Sequence, residues 1–272
     1  MTPQDFIKDY RVTDPQNFKL ASMPTRPDIF PDSDDARRFT KKNARVIGDL
    51  AHRLYGEAKR SVLIVLQGMD TSGKDSTTSA LFARTPPLNV KVAPFKAPSK
   101  KELAHDYLWR VHNVCPGKGE ITVFNRSHYE DVLIVKVREF APLDKVEQRY
   151  EQINQFEKHL TENGTTILKF MLHISHGTQG ERLKERLIES HKLWKFNPGD
   201  LDDRDLWPQF MNAYETMVQR TSTDWAPWHV IPCDSRSRRG AIISSIVRHT
   251  LEEMNPLYPD PGFKFEDYVN RI

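Results

Sequence analysis

Cysteine is nearly absent. Only Cys115 and Cys233 occur in 272 residues, with no Cys-x-x-Cys spacing, so neither a disulfide framework nor a zinc site is indicated. Long apolar runs are missing too. No stretch approaches the roughly 20 residues that cross a bilayer. The opening "MTPQDFIKDYRV" has no apolar centre of signal-peptide length. A cytoplasmic protein without membrane association is expected. Nor does one charge dominate: 40 Lys and Arg face 37 Asp and Glu, leaving +3. That balance argues against a general nucleic-acid binder, although basic clusters can still be local.

What is present suits a folded enzyme-sized domain. Apolar residues make up 38% and charged residues 28%, enough for a core and against wholesale disorder. Strand and helix patterns alternate along the chain. Val46, Ile47, Leu50, Leu54 and Tyr55 recur at helical spacing within a helix from Asp34 to about Lys59. "SVLIVLQ", 61–67, is an unbroken apolar run, as in a strand buried on both faces. "NVKVAPF", "EITVFN", "TTILKFMLHIS" and "WHVIP" read as further strands. Between them, Ser99 with Glu102 caps a helix to about Asn113, and Thr178 with Glu181 caps another. Amphipathic helices are expected at 143–162, 206–220 and 237–254. Five strands alternating with helices imply a parallel sheet with right-handed crossovers. The expected organisation is an extended surface arm at 1–33, one α/β P-loop kinase domain at 34–256, and a C-terminal tail at 257–272.

"GMDTSGKDS" follows the first strand and opens a helix. Gly68, Gly73 and Lys74 carry the G-x-x-x-x-G-K spacing of a phosphate-binding loop. Backbone N–H groups across Met69, Asp70, Thr71, Ser72, Gly73 and Lys74 are expected to face phosphate oxygens, aided by the helix N-terminus. The usual Ser or Thr after the lysine is replaced by Asp75, and Asp70 adds a second acid. An anion-binding loop repels carboxylates unless a cation intervenes. Asp70 is therefore expected to bind magnesium, which favours carboxylate oxygens and bridges phosphates. Asp75 has two readings: a contributor to the phosphate site, or a first-turn acid favoured by the helix dipole.

The second informative stretch is "ITVFNRSHYEDV", 121–132. Ligands of open α/β sheets gather at the carboxyl ends of strands. Arg126 there can hold phosphate with its planar fork, and Glu130 or Asp131 can complete the metal shell. His128 is better read as packed than as a general base. Arg182 and Arg186 share a helix face, with Lys192 and Lys195 in the polar segment that follows. They can close over phosphates, or they can form an ordinary solvated charged face. Trp194 and Trp207 read as packing anchors.

"GMDTSGKD", "FNRSHYEDV", "TTILKFMLHIS" and "KLWKFNPGDLDDRDLW", in that order, resemble the polyphosphate kinase 2 family. The resemblance covers about residues 40–255 and is closest to members that phosphorylate both AMP and ADP. It implies a thymidylate-kinase-like fold with a helical lid at about 182–205. It implies inorganic polyphosphate as donor and adenine nucleotides (AMP, ADP, ATP) as partners. Magnesium is the expected cofactor, with manganese as its substitute, and a homo-oligomer is the expected state. Loop roles carry over to Asp70 and Lys74, a phosphate contact to Arg126, and phosphate-facing lid roles to Lys192, Lys195, Arg182 and Arg186. Many members have Asp where this chain has Asn125, which leaves Glu130 and Asp131 as substitute metal acids, Asp131 preferred. The alternatives are an ATP-dependent nucleoside monophosphate kinase of the same fold and a non-catalytic nucleotide-binding regulator.

Overall fold

Every residue of the first strand, β1 (Ser61–Gln67), is buried in the computed structural model, which describes residues 3–264, 266–269 and 271–272. Successive side chains on a strand point to opposite faces, so burial of all seven requires cover on both. One side carries the Ser33–Glu57 helix packed on the Arg236–Met254 helix, with Pro3–Tyr10 and Lys74–Leu81 beside them. Leu143–Glu162 and Trp207–Thr221 pair on the other side. Their apolar stripes, such as Ile47 and Leu54 or Val146 and Ile153, merge with the strands in one core.

β2 (Val90–Pro94), β3 (Ile121–Asn125), β4 (Thr165–His173) and β5 (Trp228–Pro232) complete a parallel sheet in the order β2-β3-β1-β4-β5. This is the α/β architecture expected from the alternating pattern. β1 lies between β3 and β4, where the strand order reverses, the usual place for a ligand crevice. Register brings Leu66 opposite Asn125, and the Arg126 N–H extends the ladder to the Leu66 carbonyl (3.1 Å). The loops after β1 and β3 therefore emerge side by side.

The N-terminal segment is not an extended surface arm. Pro3–Tyr10 is helical, and Phe6, Tyr10, Phe18 and Leu20 are buried. Arg11 bridges His229, and the Val12 N–H donates to the Trp228 carbonyl (2.9 Å), so this segment caps the outer edge of β5. An open sheet edge leaves backbone groups unpaired, and here Arg11 and Val12 cover part of it. Asn255 to Lys264 is irregular, with one helical turn following at Glu266–Val269.

Two helix expectations also change. The capping box of Ser99 and Glu102 forms, but it opens only Lys100–Leu103. Asp106 takes the Leu108 N–H on its side chain (3.0 Å), offering the backbone a turn instead of a helix, and a separate helix runs over Trp109–His112. The helix expected to start at Thr178 begins at His176, because Ser175 accepts from the Thr178 N–H.

Candidate active site

The loop after β1 wraps tightly. A Cβ on Gly68 would lie 2.7 Å from the Leu172 carbonyl oxygen, and its φ is +151°, so only glycine lets the chain turn this close to β4. Met69 is packed in the core. The Ser72 N–H donates to the Met69 carbonyl (3.1 Å) and is thereby removed from the set expected to face phosphate. Lys74, nearly buried, turns its ammonium inward to the carbonyls of Gly68 (2.7 Å) and Met69 (3.2 Å). Burial, reinforced by the nearby Arg126 charge, lowers its pKa to about 8.

Arg126 occupies the centre. Its backbone is left-handed (φ 61°), and its two guanidinium arms take Asp70 (2.5 Å) and Glu130 (3.2 Å). Burial would raise the Asp70 carboxyl, but Arg126, Lys74 and Arg186 outweigh it and hold the group below its ordinary range. Asp70 is thus kept anionic at the mouth of the loop. The Lys169 ammonium on β4 is fully buried between Glu157 (2.6 Å), the Tyr129 hydroxyl (2.8 Å) and the Thr221 carbonyl (2.7 Å). Glu157 also meets His128 Nε2 (3.2 Å), so His128 anchors the 127–130 turn rather than facing solvent as a base.

The other acids separate. Asp131, the preferred metal acid, pairs with Arg149 (3.0 Å); burial, countered in part by Arg149, holds its carboxyl above the usual range. Glu130 is the acid of that pair that joins Asp70, through their shared arginine. Asp75, exposed in the first turn of Lys74–Leu81, accepts a 2.5 Å hydrogen bond from the Asn125 amide. No group of three His, Cys, Asp or Glu side chains that could hold a metal ion occurs among the described residues.

Arg182 and Arg186, four apart, do different things. Arg182 is buried and donates to the carbonyls of Thr71 (3.0 Å), Cys233 (2.8 Å) and Asp234 (3.0 Å); burial, with Arg239 nearby, lowers its pKa to about 10. Arg186 pairs with Asp200 (2.9 Å), whose carboxyl is raised to about 6 by burial and by Asp70. Lys192 pairs with Glu189 (2.8 Å) and Glu185 (3.4 Å), while Lys195 lies over the Trp194 ring. The 182–205 segment is helical in three pieces, ending in Ser190–Lys195 and Gly199–Asp205.

Two cavities meet at Arg126, Phe95 and Lys96. One, about 960 Å³, runs over the phosphate loop beneath Arg186, Lys192 and Lys195. The other, about 770 Å³, is lined by Tyr107, Ile134 and Phe140 together with Arg110 and Arg149. Sequence reasoning missed Arg236 and Arg239, which line the first cavity. A signal existed: "SRSRRG" puts three arginines in the first turn of a helix, where cations oppose the dipole unless an anion approaches.

The chain is similar to known proteins along nearly its whole length. The family model described as Polyphosphate kinase 2 matches residues 31–258. The chain is 44% identical to the AMP/ADP-polyphosphate phosphotransferase of Meiothermus ruber, covering 97% of this chain and 99% of that one. It is 35% identical to the ADP-polyphosphate phosphotransferase of Rhodopseudomonas palustris, covering 93% and 92%. The crystal structure of polyphosphate kinase 2 from Arthrobacter aurescens superposes with a TM-score of 0.94 at 34% identity, covering 100% and 96%.

Proposed function

The chain belongs to the polyphosphate kinase 2 family, and from that premise we propose that it transfers phosphoryl groups reversibly from inorganic polyphosphate to AMP and ADP. The observation that carries this reading is the pair of cavities joined at Arg126. The first is rimmed by cations and has the chemistry of a polyanion channel. The second combines aromatic and aliphatic walls with arginines, which suits a nucleotide: apolar surface for base and sugar, cations for phosphate. The segment 182–205 acts as a lid whose lysines and arginines neutralise the donor chain.

The reaction needs no protein nucleophile. An oxygen of the acceptor's terminal phosphate, anionic near neutral pH, bonds to the end phosphorus of polyphosphate. The P–O–P bond breaks, and the donor leaves one unit shorter. Lys74 and Arg126 neutralise the charge that spreads over the transferring group, and the loop N–H groups orient it. Magnesium fits this donor set. It keeps several waters and is held by one or two carboxylates plus substrate phosphates, not by an all-protein cage. Asp70, held anionic beside Arg126, would be its primary ligand, and Asp75 and Asn125 would offer further oxygens. When bound, the ion screens the repulsion between two polyanions; manganese can substitute.

No helix among the described residues is long and apolar enough to cross a membrane. A cytoplasmic location and a homo-oligomeric state complete the proposal. The test is direct. Purified protein, freed of nucleotide, is incubated with polyphosphate, magnesium and AMP, and products are resolved by chromatography. ADP and then ATP are expected. Transfer from ATP to a nucleoside monophosphate with no use of polyphosphate would establish an ATP-dependent kinase instead.

A further inference from the structure

Arg239 sits in the first turn of the Arg236–Met254 helix and is only 2% exposed. Its Nη1 donates to the Ser72 carbonyl (2.7 Å) and its Nη2 to the Ser76 hydroxyl (2.7 Å). Among the described residues no carboxylate pairs with it, and its Nε has no hydrogen-bond partner. The neighbouring Cys233 thiol is pushed up to about 12 by burial, so it offers no counter-charge near neutral pH. Asp234 spends its carboxylate on the Ser175 N–H (2.9 Å) and the Thr25 hydroxyl (2.8 Å). A buried cation left without a carboxylate is costly, and an arriving anion would offset that cost.

The guanidinium lies against Gly73. A Cβ there would be 2.1 Å from Nη1 and 2.5 Å from Cζ, and the φ of +103° also favours glycine. The peptide linking Ser72 and Gly73 has a further consequence. In a planar trans peptide the C=O and N–H point in opposite directions. With the Ser72 carbonyl bound to Arg239, the Gly73 N–H is turned away from the guanidinium.

We propose that Arg239 is a positioning residue for phosphoryl transfer. Sealed beneath Gly73, it aims the loop N–H at the donor phosphates and lends the loop an unneutralised positive charge. Glycine at 73 is required partly to admit it. The inference rests on the polyphosphate-donor reading above.

The test measures binding as well as turnover. Tripolyphosphate is titrated calorimetrically into wild type, Arg239→Gln, Arg239→Lys and Ser76→Ala, each checked for folding by thermal melting. Arg239→Gln is expected to weaken tripolyphosphate about tenfold or more, the scale of a lost charged hydrogen-bonding group. It should also lower kcat and raise KM for polyphosphate, while KM for AMP stays within about twofold. Arg239→Lys keeps the charge without the two-armed fork, so affinity should recover more than kcat. Ser76→Ala cuts one arm and should fall between wild type and Arg239→Gln. A folded Arg239→Gln protein with wild-type donor affinity and kcat overturns the inference, as does an equal loss toward donor and acceptor. If Arg239→Gln does not fold, Ser76→Ala decides, and unchanged donor parameters there overturn it. Failure of the wild type to bind tripolyphosphate overturns the donor reading itself, a distinct result.

Discussion

The Lys74 ammonium lies 2.7 Å from the Gly68 carbonyl oxygen, six residues back along its own loop. The lysine expected to reach a phosphate is curled inward, with no other side-chain cation in the 68–75 loop. Lys74→Ala should leave the fold intact and lower transfer about a hundredfold or more, since a lost charge contact to the transition state costs ~3 kcal/mol. Single-turnover rates on folded protein measure this. Near wild-type turnover would reject the loop assignment.

The same burial makes Lys74 a source of pH dependence. Its pKa falls from 10.5 to about 8 in the folded protein. The unfolded chain therefore binds more protons than the folded one between those values, and stability contributed by this group should rise with pH across that window. Activity should move the other way. The free enzyme loses the Lys74 charge above about pH 8, so kcat/KM for polyphosphate should decline there. Bound phosphate favours the charged form, so kcat should decline at higher pH than kcat/KM. Coincident declines in the two profiles would remove Lys74 as their origin.

Asp70, Glu130 and Asp131 should separate in a magnesium titration of initial rate. Asp70→Asn removes the carboxylate held anionic at the loop and should raise the magnesium midpoint about tenfold, with a smaller effect on nucleotide KM. Glu130→Gln frees one arm of Arg126 and should lower kcat. Asp131→Asn acts on Arg149 in the second cavity and should change acceptor KM while leaving the magnesium midpoint in place. A shifted midpoint for Asp131→Asn alone would restore it as the metal acid.

Asn125→Asp tests the contact to Asp75. The amide donates to that carboxylate at 2.5 Å, so the substitution sets two carboxylates face to face. Like charges at this range repel strongly unless a cation lies between them. The variant should lose thermal stability without magnesium and regain it as magnesium is added, at lower concentrations than wild type needs. Melting curves that do not respond to magnesium would show the pair to be outside the metal site.

The two lid lysines should differ. Lys192 must leave Glu185 and Glu189 to meet a phosphate, whereas Lys195 has no ion pair among the described residues and packs on Trp194. Exchange of one partner for another yields less net energy than a new contact. Lys195→Ala should therefore raise KM for long polyphosphate several-fold and Lys192→Ala less, with both effects fading at high salt. Equal, salt-independent values would place both on the solvated surface.

The alternation of apolar runs and periodic helices was enough to specify five parallel strands and a phosphate loop after the first, because those signals repeat over a few residues. β1 announces its two-sided burial in seven consecutive letters. Gly68, Gly73 and Lys74 announce the loop by spacing alone. Local reading failed where the partner lies far along the chain. Arg239 reaches Ser72 across 167 residues, and Asn125 reaches Asp75 across 50. Asp131 and Glu130 are neighbours in sequence, yet the 3-10 turn His128–Val132 sends one to Arg149 and the other to Arg126. The N-terminal segment reads as an extended arm because its helix is short and its buried partners, β5 and the Arg236–Met254 helix, begin more than 200 residues later. Sequence by itself determined the order of elements and the chemistry of the loop. Only tertiary packing decided which acids pair with Arg126, which arginines lie beneath the loop and what borders the edge of β5, since each depends on contacts that no short-range propensity encodes.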